Sequence, residues 1–176
     1  MFKSGLGTIK GITAKLELKD GAKGKFCKAR PVPYAFQESV EAEYDRLEAE
    51  GIVEKVEFSD CATSMVRVPK ASGATRSCGD YAMTVNSKLN VQHYPIPLPE
   101  DVVVKLRGDQ RFTKLDLTNA YQQLPLDPMS QSYVTINTHR GLYRYKRLPF
   151  GIASSPAICQ RTMDIIPQGL DIVASI

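Results

Sequence analysis

The stretch Lys114-Leu115-Asp116-Leu117-Thr118-Asn119-Ala120-Tyr121 decides the reading of this chain. From Arg111 the residues alternate, so Phe112, Lys114 and Asp116 face one way and Thr113, Leu115 and Leu117 the other. That is the period of a short strand running into a turn. The two leucines then belong on a core face, with Asp116 aimed at whatever lies opposite. A carboxylate so placed needs a partner, because an unpaired buried charge is costly. Two readings supply one. Asp116 caps the following turn or pairs with a nearby lysine, or it binds a hydrated divalent cation such as Mg²⁺, which takes oxygen ligands from one or two carboxylates and substrate phosphates. The residues on either side choose between them.

Working outward, 176 residues suffice for one domain, or one and a half, with a substantial core. The net charge of +4 is unevenly placed. Residues 1–36 carry eight Lys/Arg against two acids, and residues 37–60 carry nine acids against two bases. Farther on, Arg140, Arg144, Lys146 and Arg147 cluster, which suggests one face for a polyanion. Cys27, Cys61, Cys78 and Cys159 form no CxxC pair, and with His93 and His139 they offer no zinc-ligand spacing. Free thiols in a reducing compartment are expected. The lysine-rich start carries no signal-peptide pattern, and no segment reaches membrane-spanning length. An intracellular protein, cytoplasmic or nuclear, is the expectation.

In chain order, Thr8–Lys19 alternates and precedes Asp20-Gly21, which predicts a hairpin. Arg30-Pro31-Val32-Pro33-Tyr34 is extended, each proline turning its predecessor from the helix. Val40, Tyr44 and Leu47 set a helix over Glu38–Glu50, stopped by Gly51. Ile52–Val56 is a strand, and Thr63–Pro69 and Arg76–Tyr81 are two more, joined by a loop with Gly73 at its tip. That loop brings Lys70 and Arg76 together, a point charge and a fork that suit a triphosphate, although lysines beside turns are common on any surface. After the connector Tyr94–Pro99, Glu100–Arg107 is a short helix; Gln122–Leu126, Tyr133–Asn137 and Leu142–Arg147 are strands. Leu148-Pro149-Phe150-Gly151 is a tight loop in which glycine lets backbone approach a ligand. Ser155-Pro156 opens a helix with Ser155 as cap, Cys159, Met163 and Ile166 forming its apolar stripe and Pro167 its end. Asp171–Ile176 reads as the start of another strand.

Together these pieces resemble the reverse transcriptases of gypsy-type long-terminal-repeat retrotransposons, from about Phe2 to Leu170. The stretches that carry the resemblance are Lys28–Tyr34, Arg76–Tyr81, Phe112–Tyr121, Gly141–Tyr145, and Leu148–Gly151 followed by Ser155-Pro156-Ala157 and Gln160. The resemblance implies an α+β fold, the fingers and first half of the palm of a right-hand polymerase. Residues 1–30 would be a basic N-terminal segment, 31–110 the fingers with the start of the palm, and 111–176 palm and fingers. It further implies that Asp116 is the first catalytic carboxylate, a ligand to two Mg²⁺ ions, with the Leu117 carbonyl beside it. Tyr121 would lie beneath the sugar of the incoming deoxynucleoside triphosphate, and Phe150 and Gly151 beside that nucleotide. Lys70 and Arg76 would hold its triphosphate, and Gln160 would contact the templating side. The partners implied are an RNA or DNA template-primer.

The family pattern also asks for a Tyr, a variable residue and an Asp-Asp pair on the hairpin after the last helix. Ser175 and Ile176 take the first two of those positions, so the sequence is expected to stop before the two aspartates, without thumb, connection or RNase H regions. Cys61 stands where relatives commonly have Trp, Ala82 where Lys or Arg is usual, and Pro167 interrupts the last helix. A chain with one carboxylate of three is expected to be inactive alone. The alternative is a non-catalytic retroelement remnant that at most binds nucleic acid weakly.

Overall fold

The structure, a computed structural model, describes residues 5–68, 77–108 and 110–168 in full, and the backbone of 69, 75 and 76. The chain folds around a five-stranded sheet of order β1-β5-β4-β2-β3. Its strands are β1 (Val53–Val56), β2 (Thr63–Pro69), β3 (Thr75–Gly79), β4 (Thr135–Thr138) and β5 (Gly141–Tyr145). The β2–β4 pair is parallel, with Thr63 beside Ile136; the other pairs are antiparallel. Strand β5 thus lies between two strands from opposite ends of the sequence, Glu54 facing Arg144 on one side and Thr135 facing Arg144 on the other. Long-range pairing, not local hairpins, joins the two halves.

Helix α1 (Tyr34–Ala49) begins as soon as the proline run ends, with Pro33 still extended at ψ 141°. This is four residues before the predicted start, because nothing after Pro33 opposes the helix. Val40, Tyr44 and Leu47 are its buried face, as their spacing requires. The Tyr44 ring stacks on Tyr143 of β5 at 5.6 Å, which fixes α1 over the sheet. Burying a side chain of this size contributes about 1.5–3 kcal/mol, so the three together are the main tie between helix and strands.

The N-terminal hairpin does not form. The alternating residues are used instead as single contacts to distant backbone: Ala14 bridges Leu126, Leu18 bridges Leu89, and Phe26 bridges Ala62. Ala14 and Leu16 are buried, and the Leu16 amide donates to Ser130 Oγ at 2.7 Å. Alternation placed one face of the segment on the core, but the ladder partners came from elsewhere.

A second difference lies at 122–133. In place of a strand, Ala120–Gln123 forms a 3₁₀ turn and Pro125 bridges Arg147. Tyr133 closes a helix, α3 (Pro128–Tyr133), where a strand was expected to start. Asp127 caps α3, its carboxylate accepting from the amides of Met129 and Ser130. Asp-Pro is a strong helix opening, and it outweighs the β-prone residues beyond it.

Helix α2 (Pro99–Lys105) buries none of its residues, and α4 (Ser155–Ile165) buries Ser155, Ile158, Cys159, Gln160 and Thr162. The cap position of α4 belongs to Ser154, one residue before the expected Ser155. Pro167 lies two residues beyond the end of α4. The four cysteines are free. Half-buried Cys61 donates its thiol to the Ser132 carbonyl at 3.0 Å, and burial raises its pKa. Among the described residues no helix is long and apolar enough to cross a membrane. The expected strand at Asp171–Ile176 lies outside the described residues.

Candidate functional site

The loop Leu148–Gly151 is held from four directions. Leu148 is fully buried, and its amide donates to the Leu124 carbonyl at 2.9 Å. Ser155 Oγ donates to the Pro149 carbonyl at 3.2 Å, so the first residue of α4 clips the loop that precedes it. Asn86 grips the far side with both ends of its amide: Nδ2 donates to the Gly151 carbonyl at 2.8 Å, and Oδ1 accepts from the Ala153 amide at 2.9 Å. Gly151 has φ +91°, and a Cβ there would lie 3.4 Å from the Gly79 carbonyl oxygen and 3.5 Å from the Tyr81 ring. The positive φ is what calls for glycine, since the space beside it would accept a methyl group in ordinary contact.

Gly79 is tighter still. A Cβ on it would sit 2.6 Å from the ring of Tyr81, which is fully buried. The next residue, Asp80, accepts from Arg30 at 2.5 Å, tying β3 to the extended stretch before α1. Stretches around residues 30, 79–81, 86 and 148–155 therefore converge on one place, although they are far apart in sequence.

Tyr121 and Phe150 meet at this place, with ring centroids 5.3 Å apart and planes inclined by 45°. Offset aromatic pairs of this kind are favourable beyond their buried area. Partial burial raises the Tyr121 pKa, so the ring presents a neutral hydroxyl. Asn119, just before it, takes the left-handed conformation at φ 50°, and Gln123 Nε2 donates to the Thr118 carbonyl at 2.9 Å. These turn the chain sharply from the Asp116 segment into the Tyr121 turn. Gln160 is buried on α4, where its Nε2 donates to Asp164 Oδ1 at 3.2 Å. Tyr94 hydrogen-bonds the same carboxylate, and that bond raises the phenol's pKa.

Asp116 does not lie as expected. Residues 111–117 form no strand, and both leucines that should mark a core face are outside it, Leu115 75 % and Leu117 40 % exposed. A strand needs a ladder partner for its N–H and C=O groups, and no described segment pairs with this one. Alternation without a neighbour leaves the carboxylate of Asp116 in solvent. Lys70 lies outside the described residues. Arg76 is known by its backbone, opposite Val68 in the β2–β3 pair.

The cations at 140–147 do not share one open face. Arg140 pairs with Asp45 of α1 at 2.7 Å, while Arg144 and Lys146 approach Glu54 of β1 at 3.8 and 3.6 Å. Sequence proximity suggested a basic patch; the acidic residues of α1 and β1 divide and offset it. As to metal, no group of three or more His, Cys, Asp or Glu gathers among the described residues. The two groups the resemblance assigns to Mg²⁺, the Asp116 carboxylate and the Leu117 carbonyl, both lie on the exposed 111–117 segment. Reading motifs one at a time missed Asn86. The polar Asn between apolar Val85 and the 148–153 loop had no local signal, since its partners are 65 and 67 residues away.

Comparison with known proteins identifies the family and the fold. The chain is 36% identical over its 176 residues to an uncharacterized protein of Caenorhabditis elegans, covering 99% of this chain and 14% of that protein. It is 31% identical to the retrovirus-related Pol polyprotein from transposon 412 of Drosophila melanogaster, over 89% of this chain and 13% of the polyprotein. The chain thus spans about a seventh of the length of these relatives. Among solved structures, the prototype foamy virus protease-reverse transcriptase superposes with a TM-score of 0.81 at 22% identity, over 97% of this chain and 22% of that one. A foamy viral protease-reverse transcriptase in complex with an RNA/DNA hybrid gives 0.78 at 18% identity, with the same coverage. The α+β fold is therefore shared with those enzymes. The family described as reverse transcriptase (RNA-dependent DNA polymerase) matches residues 68–174. With most of the chain covered by that match, the protein belongs to the reverse transcriptase family.

Proposed function

We propose that this chain is the fingers and first half of the palm of a gypsy-type retrotransposon reverse transcriptase, which in the whole polyprotein adds deoxynucleotides to a primer on an RNA or DNA template. The observation that carries the reading is the meeting of Tyr121 with Phe150 on a loop clamped by Asn86, Gly79 and Tyr81. A rigid aromatic pair beside a glycine that exposes backbone suits a flat sugar–base unit. In this reading Tyr121 lies under the sugar, and Phe150 and Gly151 flank the nucleotide. Lys70 and Arg76 grip the triphosphate, and Gln160, oriented by Asp164, faces the template side. The Asp116 carboxylate and the Leu117 carbonyl would hold Mg²⁺, which in two-metal transfer activates the attacking hydroxyl and steadies the leaving group. A similar reverse transcriptase being solved with an RNA/DNA hybrid supports a template-primer as partner.

The exposed, isolated Asp116 favours a second reading for the 176 residues taken alone: a non-catalytic product that binds nucleic acid weakly. Positioning and charge neutralisation supply nearly all the acceleration of phosphoryl transfer, and one carboxylate provides little of either. Primer extension by the chain should equal that of Asp116→Ala; measurable excess extension would overturn the inactive reading. Titration of a labelled RNA–DNA hybrid should show weak binding that falls steeply with salt. Lys25→Glu/Lys28→Glu, two exposed cations of the basic segment, should weaken it further. A salt-insensitive signal, or no binding at low salt, would remove the nucleic-acid reading.

A further inference from the structure

A cavity of about 160 Å³ opens between the start of α1 and the sheet, and neither Tyr121 nor Phe150 lines it. Its walls are largely apolar, from Pro31, Val40, Met65 and Val66. Its polar floor is already satisfied, the Tyr44 phenol hydrogen-bonding Ser77. A cavity of roughly 150 Å³ admits a benzene ring, whereas sites for drug-sized ligands run from about 300 Å³ upward. A single ring fits; a nucleotide does not.

Two arginines and a histidine line the cavity, and two of the three are engaged. Arg30 is paired with Asp80 at 2.5 Å, and His139 Nε2 meets Glu41 Oε1 at 3.1 Å. The third, Arg67, has no carboxylate partner among the described residues. Its guanidinium carbon lies 3.7 Å over the centroid of the Phe36 ring. Stacking fixes the plane of the guanidinium and leaves its edge N–H groups pointing outward from the ring. A planar fork matches a carboxylate in two parallel hydrogen bonds.

We propose that this cavity binds a small aromatic carboxylate, its ring between Val32, Val40 and Met65 and its carboxylate on Arg67. The apolar walls select the ring and the pre-set fork selects the planar anion. A phosphate would find one guanidinium where it needs several donors.

The test uses the whole chain with three probes: benzoate, benzyl alcohol and acetate, followed by saturation-transfer NMR and thermal shift. Benzoate should bind, benzyl alcohol more weakly, and acetate not measurably. Arg67→Gln, at an exposed position, should lower benzoate affinity by about three- to tenfold, bringing it to the level of benzyl alcohol. Val32→Phe, at a half-buried position on the cavity wall, should fill the cavity and abolish binding of both aromatic probes. No benzoate binding to the folded wild type, or equal affinity in Arg67→Gln, overturns the proposal whether or not Val32→Phe folds.

Discussion

Two regions that the family motifs place side by side are built in opposite ways. The loop Leu148–Gly151 is fastened by hydrogen bonds with Asn86, Leu124 and Ser155, and it lies against Gly79, where the buried Tyr81 ring leaves no room for a methyl group. The segment 111–117 has a clearer strand pattern than that loop, yet it pairs with no described strand and exposes Phe112, Leu115 and Leu117. The difference teaches that a β pattern is a request for a neighbour, while a tight loop can be completed by side chains already in place. Stability should therefore be concentrated around the loop and nearly absent from the Asp116 segment.

The largest effect that sharpens this contrast is expected at alkaline pH. Burial raises the pKa of Tyr44, Tyr81 and Tyr145 in the folded chain. A raised folded pKa means that the unfolded chain releases these protons first. The stability they contribute is complete below about pH 10, the unfolded value, and is lost as pH rises from there through the higher folded values. Unfolding followed by circular dichroism should turn sharply downward above pH 10, and a flat profile would contradict the burial of these phenols.

Gly79→Ala comes next. The added methyl meets the buried Tyr81 ring, and overpacking of this kind costs about 1–3 kcal/mol in urea unfolding. An unchanged midpoint would mean that the ring and the loop beyond it are free to move. Asn86→Ala should cost less, about 1 kcal/mol, since it removes two hydrogen bonds at a half-exposed site. Hydrogen exchange should localise the loss, with the Ala153 amide exchanging faster. The smallest effect is expected from Leu115→Ser, within about 0.5 kcal/mol of wild type. A loss beyond 1 kcal/mol would show that Leu115 is buried in solution and would break the comparison.

Much of this could be read from residues alone. The α1 stripe of Val40, Tyr44 and Leu47, the β4–β5 turn at His139-Arg140, and the end of α4 before Pro167 all follow from spacing, glycine or proline. Each is a local matter, settled within a few residues by backbone sterics and side-chain periodicity. The family resemblance was legible too, because its motifs are short and ordered. The same reading gave Thr8–Lys19 and Arg111–Leu117 strand partners they do not have, and it treated Arg140 to Arg147 as one basic face.

What only the tertiary structure decided is which distant groups meet. The β2–β4 pairing, the grip of Asn86 on the 148–153 loop, the Arg30–Asp80 pair and the splitting of the basic cluster by Asp45 and Glu54 join residues about 50 to 95 positions apart. Alternation along a chain says which way side chains point, and charge says what they seek. Neither says what stands opposite, because hydrogen-bond ladders and ion pairs are satisfied across space, and the choice of partner belongs to the whole fold.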